Sequence, residues 1–159
     1  PEVIAGARQL RHLLEELGLE SFVKTSGGKG LHLVVPIRRR TGWEEAKAFA
    51  GAVARNLVRL RPDRFTAEMK KTKRQGRIFI DFYRNDRGAT TIAAYSTRAR
   101  AGAPVSTPIR WEELDRTMTP DRYRIDNLPK RLAALKNDPW QDFFKVQQGI
   151  TRAMRKALG

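Results

Sequence analysis

The 159-residue chain contains no cysteine, which removes a disulfide framework, a thiol nucleophile and every cysteine-ligated zinc site, and fits a reducing compartment. No apolar run approaches the roughly 20 residues that span a bilayer. Leu33-Val34-Val35-Pro36-Ile37 has the length of a strand. Repeats and low-complexity blocks are absent, so the charges belong to folded elements. There is no G-x-x-x-x-G-K-[ST], G-x-G-x-x-G, H-E-x-x-H or G-x-S-x-G, which leaves P-loop, dinucleotide-binding, zincin and α/β-hydrolase readings without support. Acidic residues are scarce: 17 Asp+Glu stand against 32 Lys+Arg, for a net charge of +15.

A field this positive attracts polyanions, and neutralising phosphates with Lys and Arg releases condensed counterions. A merely over-charged or ribosomal-type surface is the other reading. Placement favours a polyanion site, because Lys70, Lys71, Lys73, Arg74, Arg77, Arg84, Arg87, Arg98 and Arg100 crowd one stretch with only Asp81 and Asp86 to oppose them. With hydrophobic residues at 40% the chain can still build a core.

Val3 to Leu17 carries apolar residues at helical spacing, with Gly18 as a stop. Phe22-Val23 leads through Ser26-Gly27-Gly28-Lys29-Gly30 into Leu31 to Val35, which reads as strand, glycine-rich turn, strand. Trp43 to Leu60 is a second helix, opened by Thr41 with Glu44 as a capping box. Arg77 to Tyr83 and Thr90 to Tyr95 read as strands, joined by a turn at Asn85-Asp86-Arg87-Gly88. Ala101 to Pro108 reads as an extended surface segment, and Trp111 to Leu114, Asn127 to Leu135 and Pro139 to Leu158 as helices. The fold class is α+β, a small mixed or antiparallel sheet flanked by helices, in a single domain over residues 1–159.

Side chains alternate across a strand, so Leu31, Leu33 and Val35 share one face and His32 and Val34 the other. Asp81 sits among Ile78, Phe79, Ile80, Phe82 and Tyr83, where an isolated carboxylate is costly to bury. It therefore holds a metal, or pairs with a neighbouring arginine. The loop from Ser26 to Gly30 offers backbone N–H groups, a hydroxyl and an ammonium, as a phosphate-cradling loop requires. His12, beside Arg8 and Arg11 on the polar side of the first helix, reads as a surface residue.

Phe22 to His32, then Arg77 to Thr90, then Ala94 to Arg100 form ordered motifs. Through them the chain resembles the polymerase domain of bacterial DNA ligase D, a primase-polymerase of the archaeo-eukaryotic primase superfamily. The resemblance runs essentially the full length, including Pro104 to Pro108 and Trp111 to Leu114. It implies an RRM-like core. It also implies a template-directed nucleotidyltransferase that extends primers and fills gaps at double-strand breaks in non-homologous end joining, in the bacterial cytoplasm at the nucleoid. Asp81 matches a metal-binding carboxylate for Mn²⁺ or Mg²⁺. Ser26, Lys29 and His32 match residues at the triphosphate of the incoming NTP or dNTP, Arg98 matches a further triphosphate contact, and Arg74 and Arg84 match positions lining the nucleotide site. DNA ends, Ku and attached ligase and nuclease domains are the partners it implies.

One departure bears on activity. The family's other metal carboxylates lie in an Asp-x-Asp motif, and none occurs here. Glu113-Leu114-Asp115 has the spacing but reads as a solvated helix end. The start at Pro1-Glu2 reads as an N-terminal truncation that omits the motif I strands. The expectation is a chain catalytically incomplete alone that retains weak nucleotide or DNA binding. A basic nucleic-acid-binding module without catalysis, with Asp81 as a structural ion-pair partner, is the alternative. A domain that self-associates through an exposed sheet edge is a third reading.

Overall fold

The element order is α1 (Glu2–Glu16), β1 (Phe22–Thr25), β2 (Leu31–Val34), α2 (Trp43–Leu60), β3 (Phe65–Thr66), β4 (Ile78–Phe79), β5 (Pro108–Ile109), α3 (Leu128–Ala134) and α4 (Arg152–Leu158). Short 3₁₀ turns cover Lys71–Arg74 and Trp111–Glu113. This is a computed structural model, and it describes residues 2–159. The chain divides into two compact units. The first holds residues 2–11, Glu20–Pro36 and Ile92–Val146, and the second holds His12–Leu19, Ile37–Thr91 and Gln147–Gly159.

In the first unit the expected hairpin forms, with β1 antiparallel to β2 and β5 antiparallel on the other edge of β1. Alternation then sorts the side chains. Val23 is fully buried in a cluster with Ile4, Ala7, Val105, Ile109, Trp111, Leu114, Met118, Tyr123 and Leu128, against which Leu31 and Leu33 pack. Phe22, Lys24, His32 and Val34 fall on the other side of the hairpin. Phe22 meets the edges of Trp140 and Phe143 at ring-centroid distances of 5.9 and 5.1 Å.

Trp111 is buried, donates its indole N–H to Ser21 O at 2.7 Å and carries the Arg11 guanidinium 4.9 Å above its ring. Trp111→Phe retains a large ring but orphans that buried carbonyl. The variant should lose about 1–2 kcal/mol in denaturant titration, and an unchanged midpoint would remove the indole hydrogen bond from the account.

The second unit is built on α2, whose buried residues include Phe49, Val53, Ala54 and Leu57. α4 joins it through Asn56 Nδ2 donating to Leu158 O at 3.2 Å and an ion pair between Arg155 and Glu45. β3 and β4 form a short parallel pair in which Phe65 is 1% exposed. His12 is exposed beside Glu16, as its helix position implied.

Several local expectations are corrected. The strand expected over residues 77–83 ends after Phe79, because β3 offers only Phe65 and Thr66 as partners and the chain turns at Phe82, whose carbonyl accepts from Asn85 N at 3.2 Å. No strand forms over residues 90–95: Tyr95 has φ +63, a left-handed conformation no strand residue adopts. The segment read as surface is buried from Pro104 to Ile109, since β5 pairs with β1 and Val105 N donates to Tyr123 O at 2.7 Å. The last helix begins only at Arg152. Before it, residues 138–145 make three-residue turns, held by Trp140 N on Asp138 Oδ1 and by the indole N–H of Trp140 on Val23 O, and Phe144 is 91% exposed. α2 starts at Trp43 as expected, but Gly42 is its N-cap and no side chain caps it. Glu113 is not a solvated helix end, because both its oxygens receive the Arg131 guanidinium.

Candidate functional site

The loop between β1 and β2 is closed by one hydroxyl. Ser26 Oγ donates to Gly30 O at 2.6 Å and accepts from the N–H groups of Gly28 at 3.1 Å and Gly30 at 3.3 Å. A serine hydroxyl has one proton to donate and two lone pairs, so Ser26 is saturated within its own loop. Gly27 N donates to Pro120 O at 2.9 Å. The expectation that the loop's amides cradle phosphate is therefore corrected. The amides of Gly27, Gly28 and Gly30 are engaged internally, and the groups free to meet an anion are cationic side chains.

Those cations converge on the loop. A methyl group built on Gly28 would lie 3.4 Å from Arg98 Nη2 and 3.7 Å from Arg100 Nη1, and one built on Gly27 would lie 2.9 Å from Arg98 Cγ. Gly27 has φ +63, so glycine is required there both by conformation and by the arginine stem. Arg98 N donates to Pro104 O at 2.8 Å, and Arg98 Nε is buried with no hydrogen-bond partner among the described residues. A buried, unpartnered guanidinium N–H calls for an explanation. Lys29 projects from the same loop, exposed, and His32 stands opposite Lys24 in the β1–β2 register, half-buried.

Lys24, Ser106 and Thr107 form a buried hydrogen-bonded cluster that the sequence reading missed. Lys24 is 4% exposed and donates its Nζ to Ile92 O at 2.6 Å and to Ser106 Oγ at 2.7 Å. Ser106 Oγ in turn donates to Thr25 O at 2.9 Å, and Thr107 N donates to Thr25 Oγ1 at 2.9 Å. Burial, with the Arg98 charge second, pushes the Lys24 ammonium down to about 8. A lysine depressed in the folded state binds its proton less tightly than in the unfolded chain. The cost of its charge is thus present below about pH 8 and relieved as pH rises toward 10.5, the ordinary lysine value. The signal that could have found it is a lysine in a strand whose other residues are apolar or β-branched.

The second unit holds the remaining expected residues. Asp81 is exposed and accepts Arg84 Nε at 3.2 Å, while Arg84 Nη1 donates to Thr90 O at 2.7 Å. Arg74 lies 3.7 Å over the Phe79 ring and donates to Glu68 O at 3.2 Å and to Met69 O. The structure thus brings Ser26 and Arg98 together around Gly27 and Gly28, and pairs Asp81 with Arg84. No group of three or more His, Asp or Glu among the described residues could hold a metal ion.

A family model described as "LigD, primase-polymerase domain" matches residues 1–140. The chain is 52% identical over 148 residues to the multifunctional non-homologous end joining protein LigD of Pseudomonas aeruginosa, covering 92% of this chain and 18% of that protein. It is 30% identical over 146 residues to the bifunctional non-homologous end joining protein LigD of Bacillus subtilis, covering 91% of this chain and 24% of that one. Among solved structures it is similar to the polymerase domain of Mycobacterium tuberculosis ligase D in complex with DNA, with TM-score 0.81 and 35% identity over 88% of this chain and 48% of that one. The chain therefore spans under a quarter of the length of the two LigD proteins and about half of the solved polymerase domain. The likeness to the solved polymerase domain bears out the α+β expectation.

Proposed function

The chain belongs to the LigD primase-polymerase domain family, and from that membership we propose that it supplies the triphosphate-binding part of a template-directed nucleotidyltransferase acting at DNA ends in non-homologous end joining. The observation that carries this reading is the convergence of Arg98 and Arg100 over Gly28, with the Arg98 Nε–H unpartnered. In nucleotidyl transfer the primer 3′-hydroxyl attacks the α-phosphorus and pyrophosphate departs. Charge grows on that leaving group, and preorganised guanidinium donors stabilise it. Arg98 and Arg100 would meet the β- and γ-phosphates, Lys29 would approach from the loop, and Ser26 would hold the loop's shape. His32 would stand beside the phosphates on the Lys24 side of the hairpin.

The described residues do not by themselves fit a two-ion site. Asp81 is one carboxylate, already paired with Arg84, and Glu113 is committed to Arg131. If Mn²⁺ or Mg²⁺ serves the reaction, Asp81 would contribute a single ligand. The proposed role of these residues is on the phosphate side, within a domain whose motifs the segments Phe22 to His32 and Arg77 to Thr90 resemble. Ku, and ligase and nuclease domains, are proposed partners on family grounds.

DNA binding is supported separately by the net charge of +15 and by the solved relative's complex with DNA. It would be salt-dependent and spread over many phosphates. The test compares the two ligands. His32→Ala should weaken ATP binding by calorimetry while leaving affinity for duplex DNA within about threefold, because phosphate-backbone contacts are distributed. Equal loss of both, or loss of DNA affinity alone, would move the assignment to the binding module.

A further inference from the structure

We propose that Lys24 is a positioning residue for the phosphate cradle: its ammonium clips both stems of the turn that carries Arg98 and Arg100, holding that turn against the Ser26–Gly30 loop. The inference rests on the triphosphate reading above. The Lys24 ammonium bonds Ile92 and Ser106, so its effect passes through the arginines.

The geometry is specific. The arginine turn lies between Ile92 and Ser106, and Lys24 Nζ is bonded to both points, at 2.6 Å to Ile92 O and 2.7 Å to Ser106 Oγ. Between them the backbone is unusual. Tyr95 at φ +63 and Ala103 at φ +41 bracket residues 96–102, and such conformations persist only when their surroundings over-determine them. Tyr95 N donates to Ser106 O at 2.6 Å and Ser106 N to Ser96 O at 2.9 Å, so the two stems are also laced together next to the lysine. Lys24 holds the base of the turn, and the turn's shape aims Arg98.

A second consequence follows from charge. Lys24 and Arg98 repel each other, which the burial of Lys24 leaves poorly screened. An anion at Arg98 relieves that repulsion and favours the protonated lysine. Of the groups facing Lys24, His32 comes from β2 and Arg98 from the turn.

The experiment measures ATP affinity by calorimetry for the wild-type chain, Lys24→Met and Ser106→Ala, from about pH 7 to about pH 9.5. Amide hydrogen exchange of Arg98 and Ser106 is followed in parallel. Wild-type affinity should fall as pH passes the Lys24 value. Lys24→Met should bind ATP on the order of tenfold more weakly at pH 7 and show no such fall. Ser106→Ala, which removes one hook and keeps the charge, should lose less and keep the pH dependence. Both variants should exchange the Arg98 and Ser106 amides faster. Wild-type affinity and pH dependence in Lys24→Met would overturn the proposal. Absence of ATP binding in the wild type would overturn the cradle reading instead, and unchanged exchange in Lys24→Met would then overturn the clip on its own.

Discussion

Gly27→Val should destabilise the chain and displace Arg98 together. A β-branched residue at φ +63 suffers conformational strain, and its Cβ would sit 2.9 Å from Arg98 Cγ and 3.1 Å from Pro104 O. The arginine stem can move but the Pro104 carbonyl is backbone, so part of the clash has no cheap relief. Left-handed strain of about 1–2 kcal/mol and overpacking of about 1–3 kcal/mol point to a loss of roughly 2–5 kcal/mol. The melting temperature should fall by on the order of 10 °C. Gly18→Ala is the control: Gly18 has φ +74 but nothing within 4 Å of a built Cβ, so it should show the conformational part alone. If the two variants melt alike, the close approach of Arg98 and Pro104 to the loop is wrong.

Arg98→Ala should cost most of the triphosphate affinity with little effect on stability. Among the described residues its guanidinium is in no ion pair, and its Nε–H has no partner to lose. A hydrogen bond to a charged group contributes about 1.5–3 kcal/mol, or roughly a 10- to 100-fold change in dissociation constant. Arg98→Lys should recover little of this, because an ammonium lacks the planar fork that meets two phosphate oxygens. Removing Arg98 also removes the repulsion that helps depress Lys24, so the Lys24 ammonium should titrate higher in Arg98→Ala. Calorimetry with ATP and NMR of the lysine Nζ read these effects. Wild-type affinity in Arg98→Ala would contradict the assignment.

What was legible in the sequence was whatever local pattern decides. The β1–β2 hairpin, the sorting of Leu31 and Leu33 from His32, and the span of α2 all follow from alternation or helical spacing. The misreadings have one cause, which is that partners distant in sequence set the outcome. Residues 77–83 have strong strand composition, yet β3 supplies two residues to pair with, so the strand stops. Ser106 and Thr107 look like polar loop residues and are fully buried, because Thr25 and Lys24 satisfy them across the sheet. Trp140 and Phe143 suggested a helix face, but their rings are drawn onto Phe22.

The candidate site shows the same division. A serine within a glycine-rich turn pointed to a phosphate loop, and the loop is there. That its amides are turned inward, and that arginines some seventy residues later face it, depends on the Ile92 to Ser106 excursion and on the buried lysine at its base. Asp81 posed a choice between metal ligand and ion-pair partner, and the structure sets Arg84 against it at 3.2 Å.

The most direct measurement of the central claim is a titration of ATP into ¹⁵N-labelled protein, observing the arginine Nε–H resonances, with the Arg98 signal assigned by its loss in Arg98→Lys. The account predicts that the Arg98 Nε–H resonance moves downfield and gains protection from exchange as ATP binds, with Arg100 shifting alongside it. An Arg98 signal that stays in place while arginines between Arg74 and Arg87 shift would contradict it, and would place phosphate recognition in the second unit.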